Sequence, residues 1–260
     1  MDLGLKGKCA LVTGGSHGIG RSIALSLAKE GCDVAIVART KVHVDEVVRE
    51  IEAIGVRGVG AIADLSSGEQ LTRAFQEVIA QFGTVHIIVN NVGGGGRWGS
   101  ENPDETAETV WSEVLDKNLF AAIRLTMKVL PFMRQQHWGR VITITSTLGV
   151  EAGGRPWFNV AKVSQTVLMK NLARMGRYAR NGITFNSVAP VAIMISDTGW
   201  DAEKKRDEAK FTEFVDMHFP MGRLGSPDEV ADVVTFLCSE RASLVNGASI
   251  LVDGGESHAI

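Results

Sequence analysis

The chain has 260 residues, 45% of them hydrophobic and 22% charged, which suits one large globular domain and excludes a wholly disordered chain. Its 27 basic and 30 acidic residues give a net charge of -3, so neither nucleic acid nor an anionic membrane surface is an expected partner. Three cysteines without C-x-x-C spacing, and histidines without ligand spacing, predict no disulfide framework and no metal site. With no secretory signal and no membrane-spanning apolar run, the sequence predicts a cytoplasmic location.

Short apolar runs alternate with longer stretches of three-to-four-residue periodicity, which predicts a parallel sheet with crossover helices. The predicted strands are Cys9–Thr13, Asp33–Ala38, Gly58–Ala63, His86–Asn90, Arg140–Thr145, Ile183–Val188 and Ala248–Val252. The predicted helices are Ile19–Glu30, Val42–Ile54, Gly68–Phe82, Thr109–Gln136, Trp157–Arg180 and Pro227–Ser239. No linker divides the chain, so residues 1–260 are expected to form a single-domain, Rossmann-type, doubly wound α/β fold with about seven strands.

The first predicted strand runs directly into a glycine-rich turn that opens a helix, Thr13-Gly14-Gly15-Ser16-His17-Gly18-Ile19-Gly20. In this context Gly14 permits a tight turn, Gly18 permits close approach of a diphosphate, and Gly20 permits the helix to pack on the strand. The free N–H groups at the start of that helix attract anions. The turn therefore predicts a dinucleotide site that includes Gly14, Ser16, His17, Gly18, Ile19 and Gly20.

The spacing T-G-x-x-x-G-I-G resembles the short-chain dehydrogenase/reductase family, and within it the bacterial beta-ketoacyl carrier protein reductases. Further matches follow along the whole chain: Asn90-Asn91-Val92-Gly93, Lys117-Asn118, Ser146, Lys162, Pro227-Asp228-Glu229-Val230 and Val252-Asp253-Gly254-Gly255. The resemblance implies carbonyl or alcohol oxidoreduction, with Asn118, Ser146 and Lys162 in the catalytic site. It also implies cofactor contacts from Asn91, Gly93, Lys162 and Ile193, the last in the segment that holds the nicotinamide carboxamide.

Two positions depart from the family pattern. The family's Y-x-x-x-K motif reads Phe158-Asn159-Val160-Ala161-Lys162 here, so phenylalanine stands at the position of the catalytic tyrosine. The only tyrosine, Tyr178, lies 16 residues beyond Lys162, about 24 Å along a helix, and is too far to substitute. The second departure is Val191, which follows Pro190 where the family has glycine.

By resemblance, Lys162 would lower the pKa of a tyrosine and bind the nicotinamide ribose, Ser146 would bond the substrate oxygen, and Asn118 would hold a relay water. Phe158 removes the acid and keeps the ring. Three explanations stay open: a substitution made to trap a complex, a natural branch without redox activity, or a branch with another proton donor. That donor would be the Ser146 hydroxyl or a water bound by Lys162. The rival functional hypothesis is a cofactor-binding sensor or scaffold without turnover.

The second predicted strand ends in Ala38-Arg39-Thr40, without an acid to bond a ribose 2′-hydroxyl. Arg39 suits a 2′-phosphate instead, so NADP(H) is predicted over NAD(H). Asp64-Leu65, after the third strand, resembles the family's pair that holds the adenine ring, although an aspartate there also suits a helix cap.

The charged stretch Trp200 to Met217 is either a solvated helix or, within residues 191–217, a mobile lid over the substrate. The substrate stays open among sugars, polyols, steroids and acyl thioesters. The long helices from Thr109 and Trp157 look like the family's dimer-forming pair, which predicts a homotetramer or homodimer.

Overall fold

A seven-stranded parallel sheet, of strand order β3-β2-β1-β4-β5-β6-β7, forms the centre of the computed structural model, which describes residues 1–259. Its strands are β1 Cys9–Thr13, β2 Asp33–Ala38, β3 Gly58–Ile62, β4 Ile87–Asn90, β5 Gly139–Ile144, β6 Ile183–Pro190 and β7 Ser249–Val252. All seven predicted strands are confirmed, β1 and β2 with the predicted ends and the other five with ends shifted by one or two residues. The Rossmann-type doubly wound α/β fold predicted from the sequence is thus present.

Ten α-helices surround the sheet in the part of the chain that the structure describes. They are α1 Gly18–Lys29, α2 Lys41–Ile54, α3 Gly68–Phe82, α4 Glu108–Leu115, α5 Ala121–Gln135, α6 Pro156–Ala173, α7 Gly176–Ala179, α8 Gly199–Arg206, α9 Glu208–His218 and α10 Pro227–Cys238. The α10 start has a complete capping box, in which Ser226 and Glu229 each bond the other's backbone N–H, with Pro227 in the first turn. None of the helices within residues 1–259 has the length and apolarity that crossing a bilayer requires.

The strands are apolar because both faces of the sheet are covered. Strands β1, β5 and β6 are buried along their whole length. Helices α1, α2 and α10 pack one apolar cluster against the sheet, and α3, α5 and α6 pack the other. This arrangement places the carboxyl ends of the strands along one edge, where the connections after β1 and β4 diverge to opposite faces. Ligands of such sheets bind in the crevice outside that point.

The predicted helix Thr109–Gln136 is interrupted by a single π turn, Asp116–Phe120. The cause is Asn118, whose Nδ2 donates to the carbonyl oxygen of Val114 at 2.8 Å, within the helix's own backbone ladder. Downstream, the Ala121 N–H bonds the Asp116 carbonyl, five residues back rather than four. The sequence did not predict this extra residue in the turn.

Two further helix predictions need correction. The predicted helix Trp157–Arg180 ends at Ala173, since Met175 is extended and Gly176 starts the separate short helix α7. The stretch Trp200 to Met217 is two helices, α8 and α9, rather than one. They break at Asp207, whose backbone is not helical and whose carboxylate accepts a hydrogen bond from Lys210 N as the α9 cap.

Candidate active site

The turn after β1 is tied to the turn after β4 by a small set of hydrogen bonds. Thr13 Oγ1 accepts from the backbone N–H groups of Asn91 and Val92, at 2.8 and 3.0 Å. In return, Asn91 Nδ2 donates to the Thr13 carbonyl at 2.9 Å. Two adjacent strands of the switch point therefore present their turns as one rigid edge.

The glycines of the first turn make an opening that side chains would fill. Gly14 and Gly18 have φ values of +64° and +52°, which L side chains rarely adopt. A Cβ on Gly20 would lie 2.3 Å from the Gly14 carbonyl oxygen and 2.5 Å from Asn91 Nδ2. Because α1 begins at Gly18, its free N–H groups face this opening, which suits a diphosphate.

A cleft of about 800 Å³ extends from this turn across the ends of β2 and β3. Among the residues predicted to bind the cofactor, those that line it are Gly14, Ser16, His17, Arg39, Asp64, Leu65, Asn91 and Gly93. The cleft also has walls that the sequence reasoning did not assign, His43, Trp98, Glu113, Asp116 and Lys117. The cleft lining does not include Gly18, Ile19 and Gly20. These residues instead determine the path of the backbone through the turn.

Ile193, predicted to contact the cofactor, lies apart from this cleft. Its side chain is buried, packs against Gly225 and lines a separate cavity of about 60 Å³. Its near neighbour Ile195 covers the glycine turn instead, since a Cβ on Gly18 would lie 2.9 Å from Ile195 Cδ1. The loop after β6 therefore reaches the glycine turn through Ile195.

The charges of the cleft are arranged around Asp64. Its carboxylate accepts hydrogen bonds from the Ser66 hydroxyl and N–H, at 2.7 and 3.0 Å, and these bonds, aided by Arg39 and Lys117, lower the pKa of Asp64. The carboxylate is thus engaged in a local cap, as the sequence allowed. Arg39 is exposed at the end of β2.

Two of the catalytic residues implied by the family resemblance, Lys162 and Asn118, meet at Gly93 in the cleft wall, where an added Cβ would lie 3.1 Å from Lys162 Nζ and 2.7 Å from Asn118 Oδ1. Lys162, only 4% exposed, donates from Nζ to the Ile144 carbonyl at 3.1 Å. Asn118 is fully buried and holds Gly94 from both sides, donating to its carbonyl at 2.8 Å and accepting from its N–H at 3.1 Å. Ser146 lies two residues beyond the end of β5, and its Oγ accepts from Leu148 N at 3.2 Å.

Phe158 lies one helical turn before Lys162, with its ring centroid 5.5 Å from Lys162 Nζ. The ring faces the glycine segment after β4, where a Cβ on Gly96 would lie 3.4 Å from it. Tyr178, on α7, packs against Phe185 in the core on the α3/α5/α6 side. Trp157 is buried against Trp111, at 5.5 Å between rings. None of the described residues therefore brings a phenol to Lys162.

Gln165 is a site residue that sequence reasoning missed. It is fully buried on α6, and its Nε2 donates to the Asn118 backbone carbonyl at 2.9 Å. Its spacing of three residues from Lys162 places both on one face of α6, so a buried polar residue at that spacing was the available signal.

The loop after β4 takes part in one salt bridge and in two hydrogen bonds to its backbone carbonyls. Arg97 bonds Glu203 of α8 at 2.8 Å and lies 5.2 Å from the Trp200 ring centroid. Arg155, just before α6, donates to the carbonyls of Trp98 and Gly99 at 2.6 and 2.7 Å. The loop after β4 is therefore fastened both to α8 and to the helix that carries Phe158 and Lys162.

Burial lowers the pKa of Lys162 from 10.5 to about 7. Between those two values the unfolded chain binds more protons than the folded one, so the free energy of unfolding should rise with pH. In Lys162→Met this pH-dependent contribution should vanish. At pH 7 the variant's free energy of unfolding should exceed the parent's by on the order of a few kcal/mol, and near pH 10 this advantage should be lost. Denaturant unfolding at several pH values measures this.

Lys128→Met is the matched control, because that side chain lies on α5 outside the cleft. It should leave the pH dependence of the parent unchanged. Parallel pH curves for the parent and Lys162→Met would contradict the buried, readily neutralised amine.

Comparisons with known proteins bear on this geometry. A family model described as Enoyl-(Acyl carrier protein) reductase matches residues 14–257. The 3-oxoacyl-[acyl-carrier-protein] reductase of Staphylococcus epidermidis is 36% identical over 254 residues, 95% of this chain and 98% of that protein. L-sorbose reductase from Gluconobacter frateurii, complexed with NADPH and L-sorbose, superposes with a TM-score of 0.91 at 32% identity, covering 100% of both chains. A 7α-hydroxysteroid dehydrogenase complexed with NADH and 7-oxo glycochenodeoxycholic acid gives 0.87 at 30% identity, covering 100% and 98%.

Proposed function

The chain belongs to the short-chain dehydrogenase/reductase family of oxidoreductases, and from that membership we propose that it binds NADP(H) in a site built for a carbonyl/alcohol pair, with Phe158 at the position of the family's proton donor. The observation that carries the proposal is the approach of Lys162 and Asn118 to the same residue, Gly93, in the wall of the cleft. The glycine turn, against which Gly20 lets α1 pack closely, and the free N–H groups of α1 fit a dinucleotide.

A bound nicotinamide supplies or accepts the hydride. The chain's own groups then have distinct tasks: Lys162 holds the ribose hydroxyls, and the Ser146 hydroxyl bonds the substrate oxygen. Asn118 keeps the loop at Gly94 in position through its paired hydrogen bonds. Phe158 supplies apolar surface where a proton donor is expected, so the oxygen's proton must come from the Ser146 hydroxyl or from a water bound by Lys162.

Arg39 supports NADP(H) over NAD(H), because it is an exposed arginine at the cleft end of β2, and the end of this strand carries no acid. The L-sorbose reductase neighbour was solved with NADPH, whereas the 7α-hydroxysteroid dehydrogenase was solved with NADH. The preference of this chain is therefore argued from its own arginine.

Arg39→Ala should raise the Kd for NADPH about 10-fold or more and change the Kd for NADH less than about 2-fold, because only NADPH has a phosphate for the guanidinium. Calorimetric titration of each cofactor measures this without requiring turnover. Arg49→Ala, an exposed arginine on α2 that does not line the cleft, is the control. Equal Kd values for the two cofactors in the parent would refute the NADP(H) preference.

A second function, cofactor binding without redox turnover, is favoured by one observation. Phe158 has no ionisable group, and none of the described residues replaces a phenol beside Lys162. A sensor or scaffold of this kind would be stabilised by NADPH without consuming it, whereas the oxidoreductase would do both. Following NADPH absorbance with a panel of sugars, polyols, steroids and acyl thioesters separates the two.

The remaining parts of the proposal concern the substrate, the assembly and the compartment. Residues 191–217, which include α8, form a lid over the substrate, held by the Arg97–Glu203 pair. Apolar residues exposed on the π turn, α5 and α6 support a homodimer or homotetramer: Phe120, Met127, Val160, Val163 and Val167. A cytoplasmic location, expected from the sequence, completes the proposal.

A further inference from the structure

Lys117 is a half-buried lysine in the wall of the cleft, and it comes from the π turn between α4 and α5. Its Nζ lies 4.8 Å from the centroid of the Trp98 ring, a cation–π contact, and 3.5 Å from the position that a Cβ on Gly94 would take. None of the carboxylates within residues 1–259 forms an ion pair with it. A half-buried ammonium without a partner carboxylate is a position where an anionic ligand can supply the missing negative charge.

The groups facing Lys117 identify the kind of ligand. Burial lowers the pKa of Lys117, the charge of Arg39 lowers it further, and Asp64 acts in the opposite direction. Arg39 and Lys117 therefore repel one another across the cleft. Asp64 offsets this only in part, because one carboxylate faces the two cations. Asp116 bonds Arg124 at 3.1 Å, so it too is engaged elsewhere.

We propose that Lys117 and Arg39 together bind the adenosine 2′-phosphate of NADP(H), which makes Lys117 a residue that determines cofactor specificity. The inference rests on the proposed function, because it assumes a dinucleotide in this cleft. A dianionic phosphate between the two cations turns their mutual repulsion into two attractions. Arginine supplies a planar pair of donors and lysine a compact point charge, and the two complement each other around one phosphate.

The 5′-diphosphate is the other phosphate that a dinucleotide brings, and the fold provides for it elsewhere. The start of α1 and the glycine turn face it with backbone N–H groups. Lys117 instead lines the cleft together with Arg39 and Asp64, the residues that follow β2 and β3. Those strand ends are where discrimination at the ribose 2′ position is made.

Calorimetric titration of Lys117→Met with NADPH and NADH tests the proposal, because methionine keeps the length of the side chain and removes the charge. The Kd for NADPH should rise about 10-fold, as expected for a charge-assisted hydrogen bond, and that for NADH less than about 2-fold. Lys117→Arg should recover most of the NADPH affinity. The same titrations with 2′,5′-adenosine diphosphate and ADP should show a rise in Kd only for the ligand with a 2′-phosphate, in the absence of a nicotinamide. Lys128→Met, the same charge change outside the cleft, should alter neither Kd.

The outcomes separate this inference from the function on which it rests. If the parent protein binds NADPH no better than NADH, the proposed cofactor preference fails. If the parent prefers NADPH and Lys117→Met keeps that preference, only the role of Lys117 is overturned. Equal losses for NADPH and NADH would assign Lys117 to the diphosphate and also overturn the proposal. Matching thermal unfolding of parent and variant shows that the fold is intact.

Discussion

Phe158→Tyr should increase NADPH-dependent turnover by at least about 10²-fold on the substrate of this site, since a positioned general acid contributes about 10²- to 10⁴-fold. Tyrosine adds one hydroxyl to a ring whose centroid is already 5.5 Å from Lys162 Nζ. The burial that brings the pKa of Lys162 to about 7 would leave its amine ready to exchange a proton with that hydroxyl. Steady-state NADPH oxidation on a carbonyl panel measures the effect.

Phe158→Leu is the matched control for this gain, because it alters the packing beside Gly96 without adding a hydroxyl. Its turnover should stay at or below that of the parent. An active parent whose rate tyrosine leaves unchanged would instead assign proton transfer to another group. A parent and a tyrosine variant that both bind NADPH and never consume it would favour the sensor or scaffold reading.

Gly20→Ala should abolish measurable cofactor binding and destabilise the fold. The added Cβ would lie 2.3 Å from the Gly14 carbonyl oxygen and 2.8 Å from the Gly14 carbonyl carbon, so backbone must move. Overpacking of this kind costs about 1–3 kcal/mol, and alanine's better helix propensity offsets about 1 kcal/mol of it. The displaced turn no longer presents its N–H groups to a diphosphate. Denaturant unfolding and NADPH titration measure the two effects.

Gly68→Ala is the control for that substitution, since it also places alanine at the first residue of a helix or close to it. The nearest atom to its Cβ would be Arg124 Nε, 3.9 Å away, so there is no clash. We expect neutral or slightly increased stability and unchanged NADPH binding. A Gly20→Ala protein that binds NADPH as tightly as the parent would show that the close approach to Gly14 is dispensable.

Much of the scaffold could be predicted because it depends on local pattern. The strands are continuous apolar runs, and Thr13, Gly14 and Gly20 lie at a strand-to-helix junction where backbone geometry leaves few choices. The start of α10 is predictable for the same reason, because Pro227 and Glu229 belong to a four-residue pattern that opens a helix.

The missed features depend on contacts that sequence spacing does not encode. The π turn requires the Asn118 side chain to take the Val114 carbonyl, which only the folded loop at Gly94 holds in place. Lys117 and Trp98 line the cleft because the segments after β4 fold back over it. The break at Asp207 was a readable cap signal, hidden within a run of charged residues.

The π turn also determines which sequence changes this part of the chain tolerates. Its five residues, Asp116–Phe120, hold one residue more than a regular helical turn requires. Losing any one of them would restore an ordinary α-helix and rotate the upstream half by about 100° relative to α5. Asn118 would then leave Gly94, and Lys117 would leave the cleft. Between α4 and α5 the chain should therefore tolerate substitutions better than deletions.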